Sequence, residues 1–178
     1  MSRLKVLEVP HPILREKAQP VSTVTPEIKK ILADMLETMY ATNGVGLAGN
    51  QVGLLQRLVV IDCGHDNPDP IKMVNPEIIS RSDTRVCQSE GCLSVPREYA
   101  EVERCEFVTV RYTDENGIER VRETSGLLAI AVQHELDHLE GKLFIDYLSP
   151  LKRQRLLKHL EKRRKKEARL AQEAEVSE

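Results

Sequence analysis

The sequence predicts an α+β fold in which antiparallel or mixed strands pack around a central buried helix, with a further helix toward each end of the chain. Three observations predict it. An amphipathic stripe follows Thr25-Pro26, an alternating segment turns back at Asn116-Gly117, and positions 127–132 are apolar nearly all round. A chain of 178 residues with 40% apolar side chains can bury one real core but not two. Residues 1–150 are therefore expected to form one domain, and 151–178 a basic helix ending in a frayed tail.

The first helix starts at Thr25, whose hydroxyl can cap free N–H groups, with Pro26 in the first turn where its missing donor costs nothing. Ile28, Ile31, Leu32, Met35, Leu36, Met39 and Tyr40 then fall on one stripe, read as core, and the helix should stop near Asn43-Gly44. The β-branched run at 58–62 reads as a strand. Met73-Val74 and Ile78-Ile79 suggest one more strand or two around Pro76. Positions 107–113 alternate large and polar side chains, Asn116-Gly117 signals a two-residue turn, and 118–123 returns, so a hairpin is expected. Between these strands, Glu90-Gly91-Cys92-Leu93-Ser94-Val95-Pro96 reads as a turn. Ser125 is placed to cap a helix through Leu127, Leu128, Ile130 and Val132 to Gly141, and its apolar first half should be buried. A last helix begins near Pro150, with Leu151, Leu156, Leu157 and Leu160 as its anchors.

Charge and composition narrow the function classes. No stretch approaches 18 consecutive apolar residues, and the first residues lack a signal-peptide run, so a cytoplasmic protein without membrane spans is expected. Cysteines 63, 87, 92 and 105 form no CxxC pair, which points to free thiols with one a candidate ligand. Residues 151–178 carry ten Lys or Arg against five Glu, a net of +5, although the whole chain is at −2. That basic end suits either a polyanion or simple solvation. An aromatic content of 3% offers little to anchor a large interface and favours a monomer.

The segment Gln133-His134-Glu135-Leu136-Asp137-His138 carries the chemistry. At 3.6 residues per turn the two histidines share a helix face with Glu135 beside the first, the His-Glu-x-x-His pattern of hydrolases that activate water on a divalent cation. A catalytic zinc-type site needs a third protein ligand. Phe144 stands where one protease class has its third histidine, and Glu161, at the distance another class uses, lies in a run of Lys and Arg unsuited to burial. Upstream, Cys92 sits in a Gly- and Pro-bounded segment, and thiolate with two imidazoles is a sound set. On the residues alone an endopeptidase and a non-catalytic metal-stabilised module both stay open.

Three segments taken together are more specific. Gly44-Val45-Gly46-Leu47-Ala48-Gly49-Asn50-Gln51-Val52-Gly53, then Glu90-Gly91-Cys92-Leu93-Ser94, then Gln133-His134-Glu135-Leu136-Asp137-His138 resemble, in order and spacing, the motifs of the peptide deformylases, and the likeness runs from about His11 to Pro150. The C-terminal part resembles the helix of the bacterial form. The resemblance implies Fe2+ on Cys92, His134 and His138, with Zn2+, Ni2+ or Co2+ as substitutes. It implies Glu135 as the proton carrier, and the Gln51 amide with the Leu93 backbone N–H as oxyanion donors. The implied substrate is an N-formylmethionyl nascent peptide, and the basic helix becomes a candidate contact to the ribosome.

Further expectations follow for the surroundings. Leu127, Ile130 and Ala131 precede His134 at spacings able to line a methionine pocket, with Val45 opposite. Gly46 and its neighbouring glycines are read as room for a substrate backbone. Glu90 is expected to pair with Arg104 and brace the segment bearing Cys92. The chain departs from the family's usual Gly-φ-Gly-φ-Ala-Ala-x-Gln, often with Pro at x, by having Gly49 and Asn50. Added backbone freedom there is expected to loosen Gln51.

Overall fold

The computed structural model describes residues 3–64 and 68–176. Its α-helices and strands follow the order α1 (Pro26–Ala41), β1 (Gly46–Ala48), β2 (Leu58–Ile61), β3 (Ile71–Arg81), β4 (Arg85–Cys92), β5 (Val95–Cys105), β6 (Phe107–Thr113), β7 (Glu119–Ser125), α2 (Gly126–Leu139) and α3 (Pro150–Val176). Short 3₁₀ turns occupy Pro12–Arg15, Gly49–Val52 and Phe144–Tyr147. The fold class is α+β, with two antiparallel sheets, one of five strands in the order β1-β2-β3-β6-β7 and one of the pair β4-β5.

Helix α1 begins as its cap predicts, with the Ile28 N–H donating to Thr25 Oγ1 at 3.4 Å. Ile28, Leu32, Met35 and Met39 are buried against Leu47, Leu58, Val60 and Val74. Tyr40 is not core. The residue is 46% exposed, and its hydroxyl reaches inward to donate to the buried Asp62 at 2.5 Å. The helix stops at Ala41, and Asn43 takes a left-handed φ of 55°.

Strand β2 is buried on both faces, which explains its unbroken apolar sequence. Strand β3 is a single continuous strand whose ladder to β6 shifts between Val74 and Glu77, around Pro76, which has no N–H to contribute. The β6–β7 ladder runs regularly from Phe107↔Ser125 to Thr113↔Glu119. Its connection is longer than the two-residue turn expected. Gly117 N–H donates to Asp114 O at 3.0 Å, and Asp114 Oδ1 accepts from Asn116 and Ile118 N–H at 2.8 and 3.0 Å, so the aspartate side chain organises the turn.

The β4–β5 sheet escaped the sequence reading apart from the turn at its tip. Most of β4 is exposed or half-buried, and its residues carry no apolar alternation. Helix α2 lies against strands of both sheets. Ala129, Val132, Leu136 and Leu139 share a cluster with Val59, Ile61, Met73, Val108 and Val110. Ser125 precedes it but its side chain makes no capping bond. Gln133 instead ties α2 to the end of β5, donating from Nε2 to Cys105 O at 2.9 Å and accepting the Cys105 N–H at 3.0 Å.

Helix α3 docks through only two of the four expected leucines. Leu156 and Leu160 are buried with Val9, Leu14, Val95 and Phe144, whereas Leu151 and Leu157 remain exposed. The helix spans Pro150–Val176, and i,i+4 pairs Glu161–Lys165 and Arg169–Glu173 run along it. Among the described residues no helix is long and apolar enough to cross a membrane.

Candidate active site

Cys92 stands at the end of β4, where the ladder to β5 jumps from Gly91↔Tyr99 to Cys92↔Val95. Pro96, Arg97 and Glu98 are bulged out of register, Leu93-Ser94 forms the turn, and the thiol is re-aimed toward α2. From α2, His138 Nε2 lies 3.3 Å from Cys92 Sγ and 3.2 Å from His134 Nε2. One donor atom from each of Cys92, His134 and His138 falls within 4.8 Å of the others. A tetrahedral ion with bonds of about 2.0–2.3 Å has ligand–ligand edges of roughly 3.3–3.7 Å, so the donor set has both the chemistry and the spacing for one.

Both imidazoles are held from behind. His134 Nδ1 donates to Glu90 Oε2 at 2.8 Å, leaving Nε2 toward the thiol, and its ring stacks on Phe144 with centroids 6.3 Å apart. Glu90 pairs bidentately with Arg104, at 2.7 Å to Nε and 3.0 Å to Nη2. Burial alone would push the Glu90 carboxyl up, but His134 and Arg104 outweigh it and bring the value to about 2. Arg104 reaches further than the sequence suggests. It donates to Asp137 at 2.5 Å and stacks on the Tyr147 ring, whose hydroxyl donates to Asp137 at 2.8 Å. For His138, burial first and then His134 hold the imidazole well below its usual pKa and therefore neutral, the form that binds metal.

Glu135 turns the other way, into the wall of a cavity of about 520 Å³. Burial, then Glu90, pushes its carboxyl up to about 7, and Oε2 is buried without a hydrogen-bond partner among the described residues. The same cavity is lined by Val45, Gly46, Leu93, Leu127, Ile130 and Ala131 together with Cys92 and His134. Gly46 also plays a part that its sequence context does not announce. A Cβ there would lie 2.4 Å from Glu135 Oε1, so the missing side chain makes room for the carboxylate.

Gln51 is 1% exposed in the 3₁₀ turn after β1. Its Oε1 accepts the Ala48 N–H at 2.8 Å, and its Nε2 donates to Ser94 Oγ at 3.2 Å and points at Cys92 Sγ at 3.5 Å. These contacts hold Gln51 in place despite Gly49 and Asn50. A Cβ on Gly49 would lie 2.6 Å from Gln56 O and 2.9 Å from Leu54 O, so the glycine permits a tight backbone approach instead of adding freedom. Asn50 compensates for the lack of proline by donating to Glu16 O at 2.7 Å. Ser94, Asp137 and Tyr147 are the participants that sequence reasoning missed. Ser94 and Asp137 left a signal, lying inside the cysteine and histidine motifs, and Tyr147 did not.

Residues 3–154 match the family model of polypeptide deformylase. The chain belongs to that family. A peptide deformylase of Pseudoalteromonas translucida is 54% identical over 165 residues, covering 93% of this chain and 98% of that one. Among solved structures, a peptide deformylase from Legionella pneumophila superposes with a TM-score of 0.89 at 44% identity, covering 95% and 99% of the two chains. One from Ehrlichia chaffeensis superposes at 0.90 with 34% identity, covering 94% and 99%. As a peptide deformylase the chain is a hydrolase of N-formyl groups, and the endopeptidase and metal-module readings fall away.

Proposed function

We propose that the cavity beside Cys92, His134 and Glu135 is where the formyl group of an N-formylmethionyl nascent peptide is hydrolysed to formate and a free amino terminus. The observation that carries this reading is the convergence of one thiol and two imidazole nitrogens within 4.8 Å beside a buried carboxylate at an apolar cavity. Cys92, His134 and His138 would hold one divalent ion, which when bound supplies a Lewis acid and lets water react at neutral pH. We assign Fe2+ by family resemblance, with Zn2+, Ni2+ and Co2+ as substitutes.

In this reading Glu135 takes a proton from the water that attacks the formyl carbon, and its carboxyl near 7 suits an acceptor that must give the proton back. The C–N bond then breaks as that proton goes to the leaving amine. The oxyanion of the tetrahedral intermediate is met by the Gln51 amide and the Leu93 backbone N–H, and Gln51 is already fixed by Ala48 and Ser94. Leu127, Ile130, Ala131 and Val45 would enclose the methionine side chain, and Gly46 would leave room for the substrate backbone beside Glu135. Glu90 and Arg104 act behind His134, keeping its Nε2 aimed forward. The basic helix is assigned a salt-sensitive contact to ribosomal RNA, which matches a monomeric cytoplasmic enzyme working on emerging chains.

The test offers formyl-Met-Ala-Ser to anaerobically prepared protein and follows formate and new amines. Unaltered protein should release both, Glu135→Ala should retain its metal and lose at least about 10²-fold in turnover, and iron should outperform zinc. Turnover by Glu135→Ala equal to that of unaltered protein would remove Glu135 from its role, and zinc performing as well as iron would remove the metal assignment.

A further inference from the structure

We infer that Arg163 of α3 is a positioning residue for substrate binding: its guanidinium grips the β5 bulge on both sides of Arg97 and thereby fixes one wall of the cavity. This rests on the reading of that cavity as the substrate cleft. Pro96, Arg97, Glu98 and Tyr99 all line it, and the bulge they form directly follows the turn after Cys92. Arg97 has a φ of 61°, a left-handed conformation unfavourable to any residue with a Cβ, and such a residue persists only where its surroundings hold it. Within β5 no regular ladder to β4 is available to do so, because the register jumps at this point.

The hold comes from across the fold. Arg163 donates from Nη2 to Pro96 O and from Nη1 to Glu98 Oε1 at 3.0 Å, so one rigid fork bridges the residue before Arg97 and the residue after it. The two charged side chains are 18% and 11% exposed, which sets this pair apart from the solvent-screened ion pairs along the rest of α3. His159 Nδ1 lies 2.9 Å from the same Glu98 oxygen, one turn earlier on the helix. Leu160, buried at 2%, fixes the helix face from which both reach. Arg97 itself adds a contact to Glu167 at 3.2 Å, but with side chains 73% and 54% exposed it contributes little.

The arrangement assigns α3 a part in forming the cleft that its basic composition does not announce. Arg163→Ala removes both contacts, whereas Arg163→Lys keeps the charge but cannot bridge two acceptors with a planar fork. Kinetics on formyl-Met-Ala-Ser with both variants should show KM raised at least about fivefold for Ala and at least about twofold for Lys, with kcat within twofold. Hydrogen exchange of the metal-free chain should show the amides of residues 97–99 exchanging at least about tenfold faster in Arg163→Ala while those of α1 and α2 stay unchanged. If KM is unchanged in a folded Arg163→Ala protein, or if exchange rises along all of α3 while kcat falls with KM constant, Arg163 merely docks the helix and the inference is overturned. Unaltered protein that releases no formate would instead overturn the cleft reading, and the inference with it; the exchange result tells the two failures apart.

Discussion

A methyl group on Gly46 would lie 2.4 Å from Glu135 Oε1 and 2.8 and 2.9 Å from its Cδ and Cγ, so the Glu135 side chain would have to move. Gly46→Ala is expected to lower kcat on the order of 10²-fold by displacing the proton carrier, with metal content unchanged. Formate release alongside metal analysis checks both halves. At this scale the sequence was most informative where chemistry restricts the residue type. Cys92, His134 and His138, singled out because few other side chains ligate a divalent ion, lie together within 4.8 Å, and Glu90 meets Arg104 as expected. The glycines were only partly legible, since absence of a side chain does not say which neighbour fills the space: Gly46 lines the cavity and also lies against Glu135. Ser94 stood inside the cysteine motif without a sign of its partner, and Tyr147 stood outside all three motifs, for a hydroxyl acquires its partner only through folding.

The elements differ in how locally they are encoded. Helix α1 was legible to within a few residues because its cap, proline and stripe are all near neighbours in sequence. The β4–β5 pair was not, since its order comes from a partner strand and from a bulge that no periodicity announces. This pair carries the bracing network, and Arg104→Gln tests it. The substitution leaves the buried Glu90 charge without its bidentate partner, which should cost about 3–5 kcal/mol in urea unfolding. Metal affinity should fall by about 10–100-fold. The same network predicts a pH dependence. The folded Glu90 value near 2 lies below its ordinary 4.5, so its stabilisation is fully present above about pH 4.5 and is lost as the pH falls toward 2. Urea unfolding of the metal-free protein at pH 6 and pH 3 should register the loss, and Glu90→Gln should flatten it.

For the whole molecule, the α+β class was readable from the contrast between helical stripes and alternating segments, whereas the division into two sheets was not. Helix α3 shows the limit most clearly, because two of its four leucines dock and its charged side chains do the remaining work. Truncation after Pro150 should expose the cluster around Val9, Val95 and Phe144, lower the thermal midpoint by several degrees and weaken folding. Truncation after Glu167 should leave the midpoint nearly unchanged, since Leu156, Leu160, Arg163 and Arg164 all remain. A salt-sensitive association with ribosomes that survives truncation after Glu167 but not after Pro150 would assign the contact to the basic residues between 151 and 166.

Gln133 gives its strand neighbour Cys105 one donor and one acceptor, as a paired residue in a sheet would. This bond pair sets the rotational phase of α2. An α-helix turns about 100° per residue, so a slip by one position would swing His134 and Glu135 out of the cavity together. The side chain just ahead of the histidine motif thus acts as an indexing pin for everything that follows it.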